Sequence, residues 1–222
     1  NLTSLDLSYC DSLQNVDGLA NLTNLTSLVL PGSLQNVDVL ANLPNLTSLD
    51  LSICKFTTIP SGLNKIPNLT SLDLRGSSSL QNVDVLANLP NLTSLNLRDC
   101  TSLQNVDSLV NLTNLTSLDL GSCDSLQNVD VLANLPNLTS LDLRSFDSLQ
   151  NVDVLANCTK LTKLNLSWCK SLKNVDGLAK CTKLTSLDLS YCYKIHPEPS
   201  KKEMTTREGV AAYQEQIKKS MK

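Results

Sequence analysis

The side chains of this chain that could carry out chemistry are eight cysteines, one histidine and 21 carboxylates among 222 residues. Six of the cysteines recur at intervals near 23 residues or a multiple of it, at Cys10, Cys54, Cys100, Cys123, Cys169 and Cys192. There is no Cys-x-x-Cys pair, and the single histidine, His196, lies outside the repeating part. Zinc sites and nucleophilic catalysis need thiols or imidazoles that converge on one point. We therefore expect no metal site, no cofactor and no catalytic centre.

The spacing of the cysteines reflects an internal repeat, which has to be identified before local structure is considered. A Leu-Thr-Ser-Leu or Leu-Thr-Lys-Leu segment begins nine times, and each step is 23 residues except the second, which is 21. The consensus unit reads L-T-S-L-D-L-S-x-C-x-S-L-Q-N-V-D-V-L-A-N-L-P-N. Nine starts predict eight complete units and a ninth strand, beginning at Leu2, Leu25, Leu46, Leu69, Leu92, Leu115, Leu138, Leu161 and Leu184.

Each unit combines two hydrophobic periods, as the unit that starts at Leu115 illustrates. Its first six residues alternate between apolar and polar, which predicts a short β-strand. In its second half an apolar residue recurs at every third position, which favours a 3₁₀-like coil or one loose helical turn. Asp130 is placed to cap that turn with its side chain, and Pro136 and Asn137 end it.

No unit can bury its leucines alone, whereas stacked units cover one another. The pattern L-x-x-L-x-L-x-x-C-x-x-L resembles the leucine-rich-repeat signature over residues 1–192, and the second half of each unit is similar to the bacterial, internalin-type repeat. The resemblance implies an α/β solenoid. It would be a right-handed horseshoe with a parallel β-sheet on its concave face and 3₁₀ or short helices on its convex side. Nine strands about 4.8 Å apart give a sheet roughly 40 Å long.

Two units depart from the consensus. The second lacks two residues around Pro31-Gly32-Ser33 and has Val29 where other units have Asp or Asn. The third replaces the usual second half with residues 56–66, which resemble a different repeat subtype. The departures indicate natural divergence after duplication. The chain also starts directly on a strand without a polar cap, so we expect it to be part of a longer protein.

Composition changes after the repeats, so we divide the chain into a solenoid, 1–192, and a linker with a C-terminal capping helix, 193–222. Thr205-Thr-Arg-Glu208 has the spacing of a capping box and opens a helix that runs to about Lys219. The helix can cover the last leucine layer; a partner-binding helix or the start of a further domain is the alternative. Its apolar stripe consists of Val210, Tyr213, Ile217 and Met221.

The cysteines indicate structural thiols. Six share the ninth position of the unit, and Cys158 and Cys181 replace a core leucine, so all eight are expected to point inward as small apolar groups. Stacked disulfides, for example between Cys100 and Cys123, are the alternative, but side chains in such a ladder run parallel to each other. Free thiols favour a reducing compartment and hence the cytoplasm. A secreted or cell-surface location stays open if a signal peptide has been removed.

Three columns of residues on the strands define a surface that could bind. The first column, mostly Asp, has carboxylates about 5 Å apart, so some of their pKa values should rise. The second contains Arg75, Arg98 and Arg144, whose guanidinium groups can reach adjacent carboxylates. Charge compensation on a solvated sheet and a patch that recognises a polar partner surface are both consistent with this arrangement. Ca²⁺ requires six to eight oxygens from several directions, so a flat column would bind it only adventitiously.

The third column varies most between units and carries Tyr9, Ile53, Trp168 and Tyr191. Tyr and Trp are typical interface anchors, although Trp168 and Tyr191, which should be neighbours, could instead shield the end of the solenoid. We predict a non-enzymatic module that binds a protein partner through the concave face and its variable edge. The candidate contact residues are Tyr9, Ile53, Arg75, Arg98, Asp99, Arg144, Trp168 and Tyr191.

Two other functions stay open: the ligand-sensing repeat region of a larger signalling or defence ATPase, and an internalin-like surface adhesin. Nucleic acid is not expected as a partner, because residues 1–192 hold seventeen aspartates against eleven lysines and arginines, a net charge of −6. The chain has no run of about 18 apolar residues, so no membrane span is expected.

Overall fold

The computed structural model describes residues 1–222 and shows a stack of units, each with one short strand and most with one 3₁₀ helix. Nine strands form a parallel sheet in chain order, and a tenth pairs antiparallel with the ninth. The predicted horseshoe with a parallel sheet is confirmed. The strands are β1 Ser4–Asp6, β2 Ser27–Val29, β3 Ser48–Asp50, β4 Ser71–Asp73, β5 Ser94–Asn96, β6 Ser117–Asp119, β7 Ser140–Asp142, β8 Lys163–Asn165, β9 Ser186–Asp188 and β10 Glu203–Met204.

Eight 3₁₀ helices line the side of the solenoid opposite the sheet. The third unit forms one of them although its polar sequence differs, and Leu63 is buried there as Leu86 is in the next unit. The spacing of the apolar residues therefore determines this element. The helices are Asp17–Asn21, Asp38–Asn42, Ser61–Lys65, Asp84–Asn88, Asp107–Asn111, Asp130–Asn134, Asp153–Asn157 and Asp176–Lys180.

The 3₁₀ helices are not capped in the way the sequence suggested. Asp130 is the first helical residue and makes no side-chain cap, so that prediction is wrong. Instead the Oδ1 of Asn128 accepts a hydrogen bond from the backbone N–H of Asp130 at 3.3 Å. Asparagine does this because its short side chain reaches the amide two residues later. The same bond recurs at Asn36, Asn82, Asn151 and Asn174.

The core is one continuous cluster of 66 buried residues that runs through every unit and into the C-terminal segment. It consists almost wholly of Leu, Val and Cys, and Phe146 fills the ninth position of its unit, where most units have cysteine. Seven cysteines are buried, whereas Cys10 is exposed. In later units the thiol reaches back to the preceding unit, as Cys100 Sγ does to the Leu74 carbonyl at 3.3 Å. Since no unit of this chain precedes Cys10, the prediction that all eight cysteines are buried is wrong for that residue.

The C-terminal segment continues the sheet and then packs against the last unit. Strand β10 pairs with β9, and the Leu189 N–H donates to the Lys202 carbonyl at 2.7 Å. This strand was not predicted, because two residues within a proline-rich linker carry no periodic signal. The helix α1, Arg207–Ser220, packs on the last 3₁₀ helix and on β9. Gln214 donates from Nε2 to the Leu178 carbonyl at 2.8 Å and to the Cys181 carbonyl at 2.9 Å, so buried backbone acceptors are satisfied there.

Two details of the helix prediction need correction. The N-cap residue is Thr206, whose Oγ1 accepts from the Gly209 N–H at 3.2 Å, one residue later than the capping-box reading placed it. Glu208 therefore stands too early in the helix to complete the box. Val210, Tyr213 and Ile217 are buried, but Met221 lies beyond the helix end and is 56% exposed.

We expect a thiol reagent to modify Cys10 rapidly in the native protein and the other seven cysteines only after denaturation. Burial raises the pKa of Cys54, Cys100 and Cys181 to about 12, so these thiols are protonated as well as inaccessible. Mass spectrometry under non-reducing conditions gives the number of labelled thiols. Cys10→Ser should abolish the rapid reaction, and two or more native disulfides would contradict the expectation.

If α1 is a cap, Ile217→Ala should lower the free energy of unfolding by about 2–4 kcal/mol, because it leaves a cavity in a fully buried site. It should also promote end-to-end association, which sedimentation would detect. Met221→Ala is the control just beyond the same helix, at an exposed position, and should change stability by less than about 0.5 kcal/mol. Equal losses for the two variants would show that α1 does not cover the last leucine layer.

Candidate protein-binding surface

The in-register pairing of β1 to β9 aligns equivalent residues of successive units into three columns on the concave face. Each leucine of a strand pairs with the equivalent leucine of its neighbour, so the positions on either side also align. We name the columns by their members. The Asp column is Asp6, Val29, Asp50, Asp73, Asn96, Asp119, Asp142, Asn165 and Asp188; the Arg column is Ser8, Ser52, Arg75, Arg98, Gly121, Arg144, Ser167 and Ser190; the variable edge is Tyr9, Ile53, Gly76, Asp99, Ser122, Ser145, Trp168 and Tyr191.

The Asp column serves the backbone. In eight units the Oδ1 of its Asp or Asn accepts a hydrogen bond from the backbone N–H two residues later, at 2.8 to 3.0 Å. These bonds hold the turn that follows each strand, as an Asx turn does. The constancy of this column therefore has a structural cause. The sequence analysis missed it because it considered only the charge of these residues.

The second unit lacks this hydrogen bond, and its sequence shows why. Its column residue is Val29, which has no side-chain acceptor, and the residue two positions later is Pro31, which has no N–H to donate. Acceptor and donor are absent together, so no buried polar group is left unpaired. This coincidence explains a substitution that appeared in the sequence only as a departure from consensus.

The pKa values of two column residues rise, as predicted, but the main cause is burial. Burial raises the pKa of Asp73 and of Asp119, and the neighbouring carboxylates Asp50 and Asp142 respectively add smaller contributions. At the open end of the column, the Ser8 N–H lowers the pKa of Asp6. The column asparagines act in the opposite direction to burial: Asn96 donates to Asp73 and Asn165 to Asp142, each at 3.2 Å, and the bond from Asn96 lowers the pKa of Asp73.

The three arginines of the second column all lie beside carboxylates. The guanidinium group of Arg144 donates more than one hydrogen bond to Asp142, and its Nε lies 2.8 and 3.0 Å from the two carboxylate oxygens. Arg75 lies 3.5 Å from Asp73 and 3.8 Å from Asp50. Their ability to reach adjacent carboxylates is thus confirmed for these two residues.

Arg98 differs, because its Nε lies 3.3 Å from Asp99 on the variable edge. The contact lacks hydrogen-bond geometry, so the attraction is electrostatic. None of the three arginines is therefore a free cation. To contact a partner, their guanidinium groups would first have to move away from these carboxylates.

The variable edge has an unusual backbone. From Ile53 to Tyr191, every residue of this column has a positive φ, between 57° and 70°, and Gly76 is the only glycine among them. Non-glycine residues are uncommon in this left-handed region, above all a β-branched one such as Ile53. The conformation is held because each of the first six N–H groups donates to the next unit, as Trp168 does to the Ser190 carbonyl at 2.8 Å. Gly76, the one residue typical of this conformation, was the available sequence signal.

Large apolar side chains stand on this edge in two places. Trp168 and Tyr191 are adjacent, as predicted: their rings stack with centroids 3.9 Å apart and planes 17° apart, and each is about 45% exposed. Tyr193 meets Tyr191 edge-on at 6.3 Å. Tyr9 and Ile53, 96% and 69% exposed, lie toward the other end, with Ile53 five units, about 24 Å, from Trp168. Between them lie the charged candidates Arg75, Arg98, Asp99 and Arg144.

The most prominent groove of the molecule does not coincide with these residues. It is an open groove of about 630 Å³ lined by asparagine and threonine ladders that are constant between units. Their amides and hydroxyls already donate to backbone carbonyls of the preceding unit, for example Asn91 to Pro67 and Thr93 to Thr70.

The chain contains no group of three His, Cys, Asp or Glu side chains with the geometry of a metal site. None of its helices has both the length and the apolar character needed to cross a membrane.

Sequence and structure comparisons agree on the repeat. Profiles of leucine-rich repeats match most of the chain in pieces: the Zer-1-like leucine-rich repeats over 60–129, and two general leucine-rich-repeat profiles over 1–20, 157–179 and 180–198, and over 45–66. No curated protein sequence matches the chain.

Solved structures of Listeria monocytogenes internalins are similar to this chain. Internalin C2 aligns with 27% identity over 82% of this chain and 78% of its own, with a TM-score of 0.71. The functional domain of InlJ, described as including a cysteine ladder, aligns with 26% identity over 88% and 48%, with a TM-score of 0.51. The internalin inlF aligns with 23% identity over 78% and 56%, with a TM-score of 0.63, and shows the fold alone. The chain thus spans little more than half the length of the inlF structure.

The role of the Asp column can be tested at Asp119. Asp119→Ala removes the acceptor for the Gly121 N–H and should cost about 1 kcal/mol, whereas Asp119→Asn keeps it. Because the folded-state pKa of Asp119 is raised, wild-type stability should fall as the pH rises from the unfolded-state value through the folded-state one. The Asn variant should therefore gain stability relative to wild type over that rise.

Urea unfolding at several pH values measures these differences. Asp124→Asn is the control, because Asp124 is an exposed carboxylate that makes no ion pair. It should show no such pH-dependent gain. Equal destabilisation by Ala and Asn at position 119 would contradict the backbone role.

Proposed function

We propose that this chain, which is a leucine-rich-repeat protein of the bacterial type, is a non-catalytic module that binds a protein partner through its concave face and variable edge. One observation carries the proposal. Bulky apolar side chains occupy exposed positions of the variable edge where the left-handed backbone favours glycine. Folding alone gives no reason to place them there.

The energetic argument concerns Ile53, Trp168 and Tyr191. Each has a positive φ, and a non-glycine residue in such a conformation costs on the order of 1 kcal/mol or more. Burial of apolar surface offsets only part of this cost, because at least 44% of each residue remains accessible to solvent. Strained and exposed apolar residues concentrate at functional sites, and Tyr and Trp are the commonest anchors of protein interfaces.

The same geometry argues against catalysis. Seven of the eight thiols are buried and hydrogen-bonded or packed in the core, so they are not available as nucleophiles. The carboxylates of the Asp column hold backbone N–H groups, which removes them as free acids or bases. Buried free thiols also support the cytoplasm as the location in this proposal.

A second candidate is an internalin-like surface adhesin, and the likeness to internalins favours it. Both candidates use the same surface and differ in location. Antibody labelling of intact cells of the source organism separates them, because an adhesin is accessible from outside and a cytoplasmic module is not.

The double variant Trp168→Gly/Tyr191→Gly tests the proposed surface. Glycine suits the backbone at both positions, as Gly76 shows, so stability should change by no more than about 1 kcal/mol. Partner affinity should fall by about 2 kcal/mol or more, as for anchor residues. The partner is first captured from a lysate of the source organism on the immobilised chain, identified, and titrated by calorimetry.

Val110→Ser is the control on the 3₁₀ side, where Val110 is 41% exposed. It should leave the affinity unchanged. Loss of thermal stability in the double variant with unchanged affinity would support shielding of the solenoid end instead.

A further inference from the structure

The stacked rings of Trp168 and Tyr191, the aromatic pair, have one covered face and one open face. Tyr191 belongs to the following unit and lies nearly parallel to the indole at 3.9 Å, while Tyr193 meets the far side of Tyr191 edge-on. The other face of the indole is therefore directed to the preceding unit. There the variable edge holds Ser145, and one unit further Ser122, so no large side chain of the edge covers this face.

The space above Ser145 has the dimensions of one more planar group. Neighbouring units are about 4.8 Å apart, and a group that continued the stack at the spacing of the existing rings would lie above Ser145. Ser145 has a φ of 57°, and its N–H already donates to the Ser167 carbonyl at 2.8 Å, so the floor of this slot is fixed. An aromatic ring or a guanidinium group has the required flat shape.

The charge around the slot favours a cation. Of the members of the Asp column nearest to Ser145, Asp142 is paired with Arg144, whereas Asp119, one unit further, has no ion-pair partner. Of the two lysines in the unit of Trp168 that flank the slot, Lys170 is paired with Asp147 at 3.4 Å, and Lys163 on β8 is exposed and forms no ion pair. The solenoid as a whole carries a net charge of −6, so a positively charged group is attracted to this part of the face.

We propose that the aromatic pair receives an arginine side chain of the protein partner, whose guanidinium group stacks on the open face of Trp168 above Ser145. The proposal rests on the proposed function and specifies the chemistry of its anchor. A guanidinium group is planar, weakly hydrated and always charged, so it can stack and respond to the carboxylates at once. Lysine shares the charge but is not flat, and an aromatic side chain is flat but uncharged.

Trp168 is the only tryptophan of the chain, so its fluorescence reports on this site alone. The full chain is titrated with two peptides, each acetylated and amidated at its ends: in one, three arginines alternate with glycine, and in the other, three lysines do. Fluorescence is excited at a wavelength that tyrosine does not absorb, and the tryptophan emission is recorded. The arginine peptide should change the emission with a half-saturating concentration about fivefold lower than that of the lysine peptide. Equal concentrations, or no response to either peptide, would overturn the proposal.

A variant that fills the slot provides the second measurement. Ser145→Tyr places a ring on the open face, and Tyr191 shows that this backbone conformation accepts tyrosine. The arginine selectivity should disappear in Ser145→Tyr and persist in the control Val110→Ser, with circular dichroism confirming that both are folded. Selectivity that survives in Ser145→Tyr would place the arginine elsewhere and overturn the proposal.

The two levels of the argument can fail separately. If the double glycine variant loses the captured partner but the wild-type chain shows no preference for arginine, the surface binds a partner through other chemistry and this inference is wrong. If the arginine peptide is preferred but the captured partner keeps its affinity for the double variant, the site binds guanidinium groups and the proposed function of this surface is wrong.

Discussion

The structure depends on one constraint: each unit has an apolar layer that only the next unit can cover. The in-register sheet places every strand leucine on the leucine of its neighbour, and the core forms a single cluster from the first repeats to the helix α1. Inward positions are consequently almost identical in all units. Where a unit lacks a neighbour, apolar groups are exposed, as at Cys10, or another element lies there, as α1 does at the other end.

Stacking also determines what happens to the backbone polar groups. The asparagine and aspartate ladders bond carbonyl and N–H groups that the strand and the 3₁₀ helix leave free. The threonine hydroxyls add a bond to carbonyls that already accept backbone N–H groups of the next unit. The pairing is strict enough that Val29 and Pro31 change together in the second unit. Residues that look like a polar binding surface in the sequence are thereby largely occupied with internal bonds, which leaves the variable edge as the part of the concave face free to differ.

The sequence predicted the features that recur with the repeat and missed those that occur only once. The repeat specifies the parallel sheet, the 3₁₀ helices, the columns and the adjacency of Trp168 and Tyr191, because all of these follow from alignment of equivalent positions. It could not predict β10, whose two residues have no period, or the shift of the helix start to Thr206. It misplaced the cap at Asp130, because two neighbouring residue types, Asn and Asp, can both cap and only the backbone geometry decides between them.

The left-handed edge links stability to function in this fold. At the six positions from Ile53 to Trp168, an N–H that donates to the next unit holds a positive φ, so stacking imposes the strain whatever side chain is present. Tyr191 has a positive φ without such a bond. Glycine adopts this conformation freely and aspartate more readily than most residues, and Gly76 and Asp99 are of these types. Ile53, Trp168 and Tyr191 are not, and they stand near the two ends of the edge, with charged and small residues between them. A partner that contacted both ends would have to span about 24 Å or more of the face, which is the scale of a folded protein surface rather than of a small molecule.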